Sequence, residues 1–196
     1  MNGILLIVTA LLLSYVLGSV PTGLWLGLRL RGVDIREHGS KNIGATNTLR
    51  VLGRTLGALA LAADMAKGLV PVLVAARFAS WEHLPLGCGL AAILGHSFSI
   101  FLSFRGGKGV ATSTGVFLGL APLPTLIAAV VFGAVIAATR MVGAGSVSAA
   151  VAMCIAISLF PSSLAVRVVT VLVALLVLVK HRSNIARIVR GEENKF

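Results

Sequence analysis

The chain has 196 residues, 57% of them hydrophobic and 12% charged, with a mean hydropathy of +1.00. A soluble domain of this length carries about a quarter charged residues, so the composition excludes one and points to an all-α integral membrane protein, a single domain over 1–196 with no soluble module. The formal net charge of +11 has no polar segment long enough to serve a nucleic-acid-binding fold, which leaves an anionic membrane surface or anionic substrates as its partners.

The N-terminal stretch "MNGILLIVTALLLSYVLGS" lacks the basic start of a signal peptide and reads as a first membrane helix that stays. A span needs about 20 apolar residues. Seven segments are predicted to cross, at 3–28, 55–76, 86–103, 109–122, 123–139, 142–160 and 164–180. The fourth is short and meets the fifth at Pro122 and Pro124; the sixth begins in "GAGSVSAA", small residues that permit close helix packing. With the N-terminus outside, 14 of the 17 Lys and Arg residues fall on the inner side; only Arg77 and Arg167 lie outside, and Lys67 lies within a span. The positive-inside bias thus favours an odd number of spans, seven over six, with the basic C-terminus cytoplasmic. Part of that charge is plain topology signal.

The longest inner loop, "RGVDIREHGSKNIGATNTLRVLGR" (31–54), is rich in Gly, Ser, Thr and Asn rather than in solvated Lys and Glu. Ser40 and Thr46 offer hydroxyls, Asn42 and Asn47 offer amides, and Arg50 can clamp a phosphate with two hydrogen bonds. A capped turn leading into the next helix explains the same residues. In the second span, Asp64 and Lys67 are three residues apart and share a helix face; a structural ion pair is the favoured reading over direct catalysis.

The second inner loop, "FRGGKGVATS" (104–113), brings Gly106, Gly107, Lys108 and Gly109 to a helix start. Free N–H groups and the helix dipole there suit an anion, with Lys108 adding a point charge. It is not a Walker A loop: Leu102 stands where the first glycine is needed and Gly109 where Ser or Thr is needed. ATP hydrolysis is therefore disfavoured. His96, eight residues before Phe104, is either a packing residue or a donor or base near a phosphate. The tail "KHRSNIARIVRGEENKF" can form a basic surface helix that binds lipid headgroups, or it can bring His181 and Asn184 over the same pocket as the two loops. Cys88 and Cys154 fall in apolar runs and indicate neither a metal site nor a disulfide.

Together, "GSKNIGATNTLR" (39–50), "GHSFSIFLSFRGGKGVAT" (95–112), Ser146 and "HRSNIARIVRGEE" (181–193), with "LGSVPTG" (17–23), "GVDIR" (32–36) and Asp64 with Lys67-Gly68, closely resemble the bacterial membrane glycerol-3-phosphate acyltransferases that use acyl phosphate as donor. The resemblance runs in order and spacing over nearly the whole chain. It departs at Ser99, where the family commonly has proline, and at Gly143-Ala144, where it commonly has Ser-Leu; Ser146 remains the matching hydroxyl.

The resemblance implies a multi-pass protein of the bacterial cytoplasmic (inner) membrane, with seven spans, the N-terminus outside and an active site on the cytoplasmic face. The implied reaction is acyl transfer from acyl phosphate to the 1-hydroxyl of glycerol 3-phosphate, the first acylation of phospholipid synthesis. It yields 1-acylglycerol 3-phosphate (lysophosphatidic acid) and phosphate. The implied catalytic residues are Ser40, Asn42, Arg50, Lys108, His181 and Asn184. Thr46, Asn47, Gly106, Gly107, Gly109, His96 and Ser146 are implied as phosphate-binding. No cofactor, metal or nucleic acid is expected, and the expected state is a monomer in the lipid bilayer. The rival from another class is a small anion or lipid transporter, which would favour internal repeats with broken helices; the chain shows no repeat.

Overall fold

A computed structural model describes residues 3–78 and 81–195. The described residues are helical nearly throughout and group into two compact units, Met1–Gly119 and Leu120–Phe196.

The first unit begins with α1 (Gly3–Ser19) and α2 (Thr22–Arg31), two halves of one apolar stretch bent by 46°. Pro21 causes the break, because its ring removes a donor from the ladder. A broken helix inside a bilayer must find other partners for its freed carbonyls. Here the Ser99 hydroxyl donates to the Ser19 carbonyl (2.5 Å) and the Lys67 ammonium to the Val20 carbonyl (2.8 Å). A loop then leads to the short α3 (Ala45–Leu52), which packs on α4 (Arg54–Phe78). Next come α5 (Leu84–Ser97), a 3-10 turn at Ile100–Leu102, the glycine loop and α6 (Val110–Leu120).

Small residues let these helices approach closely. A Cβ at Gly18 would strike the Ala92 backbone and one at Gly95 the Tyr15 carbonyl, so α1 and α5 touch backbone to backbone. Gly68 meets Thr112 and Gly115 meets Met65 in the same way, which seats α6 on α4.

The second unit holds α7 (Pro122–Thr139), α8 (Val142–Leu159), α9 (Leu164–Lys180) and α10 (Arg182–Val189). α7 stops at Arg140 in the left-handed conformation (φ +61°) and turns back as α8. Ser163 caps α9 by accepting from the Val166 N–H (3.3 Å), and α10 leaves α9 at a 60° bend to pack on α8 and α9.

This is an all-α polytopic membrane bundle. Among the described residues, four helical stretches are long and apolar enough to cross: Arg54–Phe78, Leu84–Leu102, Pro122–Thr139 and Val142–Leu159. The two bent pairs raise the number to six. The segment predicted as the fourth span forms α6, whose 11 residues reach about 16 Å, roughly half of a hydrocarbon core. It ends early because Pro122 opens α7 immediately after Ala121.

Candidate active site

The loop before α3 is shaped by its own side chains. Asn47 is 1% exposed. Its amide nitrogen donates to the Ile35 (2.8 Å) and His38 (3.2 Å) carbonyls, while its oxygen accepts from the Ser40 N–H (2.8 Å). Gly39 has a positive φ (+59°), and a Cβ there would meet the Asn47 amide oxygen. Asn42 accepts from the Gly44 N–H (2.9 Å) and so sets the turn into α3. Ile35 and Ile43 pin the loop to the core beside Leu24, with Leu102 packed against the same cluster. What remains at the loop's half-buried edge is Ser40, Thr46 and Arg50; Thr46 and Arg50 lie one turn apart on α3. The amide of Asn47, expected on a phosphate, is spent within the loop.

The glycine loop has a different origin. Ser103 (φ +49°) and Phe104 (φ +63°) turn the chain left-handed, and Gly109 (φ +81°) delivers it into α6. Between them the backbone lies directly on His96 and Ser97. The Gly107 N–H donates to the His96 carbonyl (3.0 Å). A Cβ at Gly106 would strike that carbonyl, one at Gly107 would strike the imidazole at Nε2, and one at Gly109 would stand 3.1 Å from the Ser97 hydroxyl. These glycines are needed because no side chain fits between loop and floor. Lys108 stands among them, half-buried, at the approach to α6. In the first turn of α6 the Thr112 and Ser113 hydroxyls are buried and make no hydrogen bond among the described residues.

Beneath the loop lies a buried polar cluster. Asp64 and Lys67 pair at 2.8 Å, and His96 Nδ1 stands 3.9 Å from the same Asp64 oxygen.

In the second unit, Ser146 donates back to the Val142 carbonyl (2.9 Å). His181 is buried at the bend into α10, and the Val177 carbonyl 2.8 Å from Nδ1 holds the ring proton there. The Asn184 amide nitrogen donates to Glu193 (2.5 Å), whose other oxygen accepts from Arg187 (2.8 Å). Glu193 is only 6% exposed. A carboxylate oxygen that accepts from Asn184 fixes the amide's orientation.

The structure therefore forms three groups. Ser40, Asn42, Thr46, Asn47 and Arg50 share the first loop and α3. His96 and Gly106 to Gly109 share the second loop. Ser146, His181 and Asn184 lie on α8 to α10 of the second unit. A glycine-lined cradle with a lysine, at a helix start in a membrane bundle, is suited to hold a phosphate against an apolar acyl chain.

The family model described as glycerol-3-phosphate acyltransferase matches residues 8–191. The chain belongs to that family. It is accordingly an enzyme, a glycerol-3-phosphate acyltransferase. The glycerol-3-phosphate acyltransferase of Trichlorobacter lovleyi is 50% identical over 183 residues, covering 93% of this chain and 94% of the relative. That of Geobacter sulfurreducens is 49% identical over 191 residues, covering 97% of each. A crystal structure of PlsY (YgiH), an integral membrane glycerol 3-phosphate acyltransferase in its glycerol 3-phosphate form, superposes with a TM-score of 0.91. It is 32% identical and covers 97% of this chain and 95% of that one. The same protein in its lysophosphatidic acid form gives 0.89.

The two departures from the family pattern now have physical accounts. α5 ends at Ser97 without a proline, and the Ser99 hydroxyl holds the end of α1 instead. Gly143 gives room to the Asn184–Glu193 pair: a Cβ there would stand 2.6 Å from the Glu193 oxygen and 2.8 Å from the Asn184 nitrogen. Glu193, the last residue of the motif 181–193, reads from the sequence as one more acid in a charged tail; the fold gives it Asn184 as partner. Thr112 closes the motif 95–112 and Ser113 follows it, two adjacent hydroxyls to which the sequence alone gives no role.

Proposed function

We propose that the chain transfers an acyl group from acyl phosphate to the 1-hydroxyl of glycerol 3-phosphate at the cytoplasmic face of a bacterial inner membrane. The C–O bond to the donor phosphate breaks and an ester bond forms. The hydroxyl proton leaves with the inorganic phosphate. The protein acts as a monomer with seven membrane segments, α6 being the shortest, and with its N-terminus outside.

The observation that carries this reading is the glycine loop seated on His96 with Lys108 at the start of α6. Lys108 and the loop's backbone N–H groups other than that of Gly107, which is given to His96, are suited to hold one phosphate; Ser40, Thr46 and Arg50 are suited to hold a second. His181 and Asn184 are assigned to the acceptor, with Asn184 oriented by Glu193. Asn42 and Asn47 serve by shaping the first loop, and Ser146 serves after its hydroxyl turns from Val142. The mixed anhydride is already activated, so the protein's work is placement and charge stabilisation.

The test is a radiolabel transfer assay with purified protein, palmitoyl phosphate and glycerol 3-phosphate. Product from palmitoyl phosphate and none from palmitoyl-CoA alone is expected; transfer from the thioester alone would overturn the donor assignment. Direct transfer predicts intersecting initial-rate lines and an active Cys88→Ala, Cys154→Ala double variant. Parallel lines, or an acyl-protein trapped with donor alone, would show a covalent route.

A further inference from the structure

Asp64 and Lys67 are 2% and 5% exposed, deep in an apolar helix, and the functional reading above does not use them. Their stability value does not explain them. Withdrawing two charges from water costs several kcal/mol per ion, and a buried ion pair commonly does no better than an apolar pair of the same volume. Each member has a second partner, however. Lys67 donates to the Val20 carbonyl (2.8 Å) at the Pro21 break. Asp64 turns its paired oxygen toward His96 Nδ1 (3.9 Å).

His96 in turn forms the floor of the glycine loop on two sides, through its carbonyl, which accepts from Gly107, and through its ring, against which Gly107 packs. At 3.9 Å the carboxylate is beyond hydrogen-bond reach of Nδ1, but its charge, buried beside the ring, favours the orientation that turns Nδ1–H toward it. The chain of contacts therefore runs from the helix break at Val20, through Lys67 and Asp64, to His96 and the loop. Each link is buried; the Asp64–His96 link is electrostatic, and charge acts strongly at that distance where water is excluded.

We propose that Asp64 is a positioning residue for the phosphate cradle: balanced by Lys67, it holds the His96 ring and thereby the backbone of Gly106 to Gly109 and Lys108. This rests on the reading of that loop as a phosphate site. Lys67 both balances the charge and closes the helix break, so Asp64→Glu, which keeps the charge, tests the ring's placement alone, whereas a neutral pair also frees the Val20 carbonyl. Asp64 touches no substrate in this scheme; its effect reaches the anion only through His96.

The experiment compares wild type with Asp64→Asn, Lys67→Met together and with Asp64→Glu alone, in detergent. The double variant removes both charges and avoids a lone buried one. Asp64→Glu keeps the charge and lengthens the side chain by one methylene. Thermal unfolding, binding of inorganic phosphate and steady-state transfer are measured on each. We expect Asp64→Glu to unfold near the wild-type temperature and the double variant, which leaves the Val20 carbonyl without its donor, below it; in both, phosphate affinity and kcat/KM should fall by roughly 10- to 100-fold, the size of a displaced binding group. Adding His96→Gln to the double variant should cost little more, because both act through one contact.

Folded variants with wild-type phosphate affinity and kcat/KM would overturn the proposal. So would a full additional loss on adding His96→Gln. If both variants unfold early and their kinetic losses disappear at low temperature, the pair is structural and the proposal is wrong. A wild-type protein that binds phosphate but transfers no acyl group would break the functional reading alone; weakened phosphate binding in the variants would still support the positioning role.

Discussion

The two polar loops of the first unit reach a similar end by opposite means. The loop before α3 is held by its own residues: Asn47 ties Ile35, His38 and Ser40 together, and Asn42 and Asp34 set turns within two residues of themselves. The loop at Gly106 to Gly109 brings almost no side chains of its own. Its shape is the shape of the surface below it, His96 and Ser97, against which three glycines lie. A self-bonded loop tolerates change around it and fails when its own side chains are altered. A moulded loop fails when anything fills the space beneath it.

The largest expected effect follows from that difference. Gly106→Ala would drive a methyl into the His96 carbonyl, and Gly107→Ala into its ring. The carbonyl cannot move without the end of α5, so the loop must lift, and we expect activity to fall by roughly 100-fold or more. Steady-state assays run well below each variant's melting temperature check it. Gly44→Ala is the matched control in the self-bonded loop, since a Cβ there stands 3.1 Å from the Asn42 side-chain oxygen and meets no backbone atom within 4 Å; its loss should stay within a few fold. Equal losses at the two positions would erase the distinction.

Lys108→Ala comes next. It removes a charge-assisted contact worth roughly 1.5–3 kcal/mol, or about 10- to 150-fold in rate if the contact is made fully in the transition state. Arginine should rescue only part, because a planar fork does not replace a compact ammonium in a moulded cradle. Near-normal rates in a well-folded Lys108→Ala protein would leave the loop as a turn with topology charges.

In the first loop, Asn47→Asp is the corresponding cut. Asp keeps the acceptor for Ser40 but faces the Ile35 and His38 carbonyls without a donor. The buried Ile35 carbonyl left unsatisfied costs about 1–3 kcal/mol and the part-buried His38 carbonyl less, so thermal unfolding should shift clearly downward. Here the loss of activity should follow the loss of stability, whereas at Gly107 it should exceed what the change in melting temperature explains.

The same contrast decides what the sequence made legible. Helices, their apolar faces and the two polar loops follow from hydropathy and from glycine placement, which are local properties. Asn47 was found as a polar residue of interest, but its use as a staple depends on Ile35 and His38 standing above it. That glycines matter at 106 to 109 was readable; that they lie on His96 was not, because the contact joins the end of one helix to the loop after it. Glu193 was hidden for the same reason, since its partner Asn184 is one turn of folding away rather than one turn of helix. The shortness of α6 and the bend at Pro21 show the limit of counting spans: an apolar run says that a segment avoids water, and prolines at its edge decide how far it reaches.

The smallest expected effect separates an exposed ion pair from a buried one. Asp34 accepts from the Arg36 side chain at 2.6 to 3.1 Å and from the Arg36 backbone N–H at 2.9 Å. The Arg36 side chain is 50% exposed, so water and salt screen the pair, and its worth is about 0–1 kcal/mol. The hydrogen bond from the Arg36 guanidinium holds the Asp34 carboxyl below its ordinary range. A depressed folded pKa gives stability that is present above the unfolded value, about 3.9, and is lost as pH falls through the folded one. Asp34→Asn should therefore lower the melting temperature slightly at neutral pH. The gap to wild type should close below about pH 4 and shrink in high salt. Transfer rates should stay within about twofold, since a pair worth under about 1 kcal/mol cannot shift a rate by more than about fivefold. A larger loss of rate, or a gap that persists in acid, would mean that the first loop leans on this exposed pair as the glycine loop leans on its buried cluster.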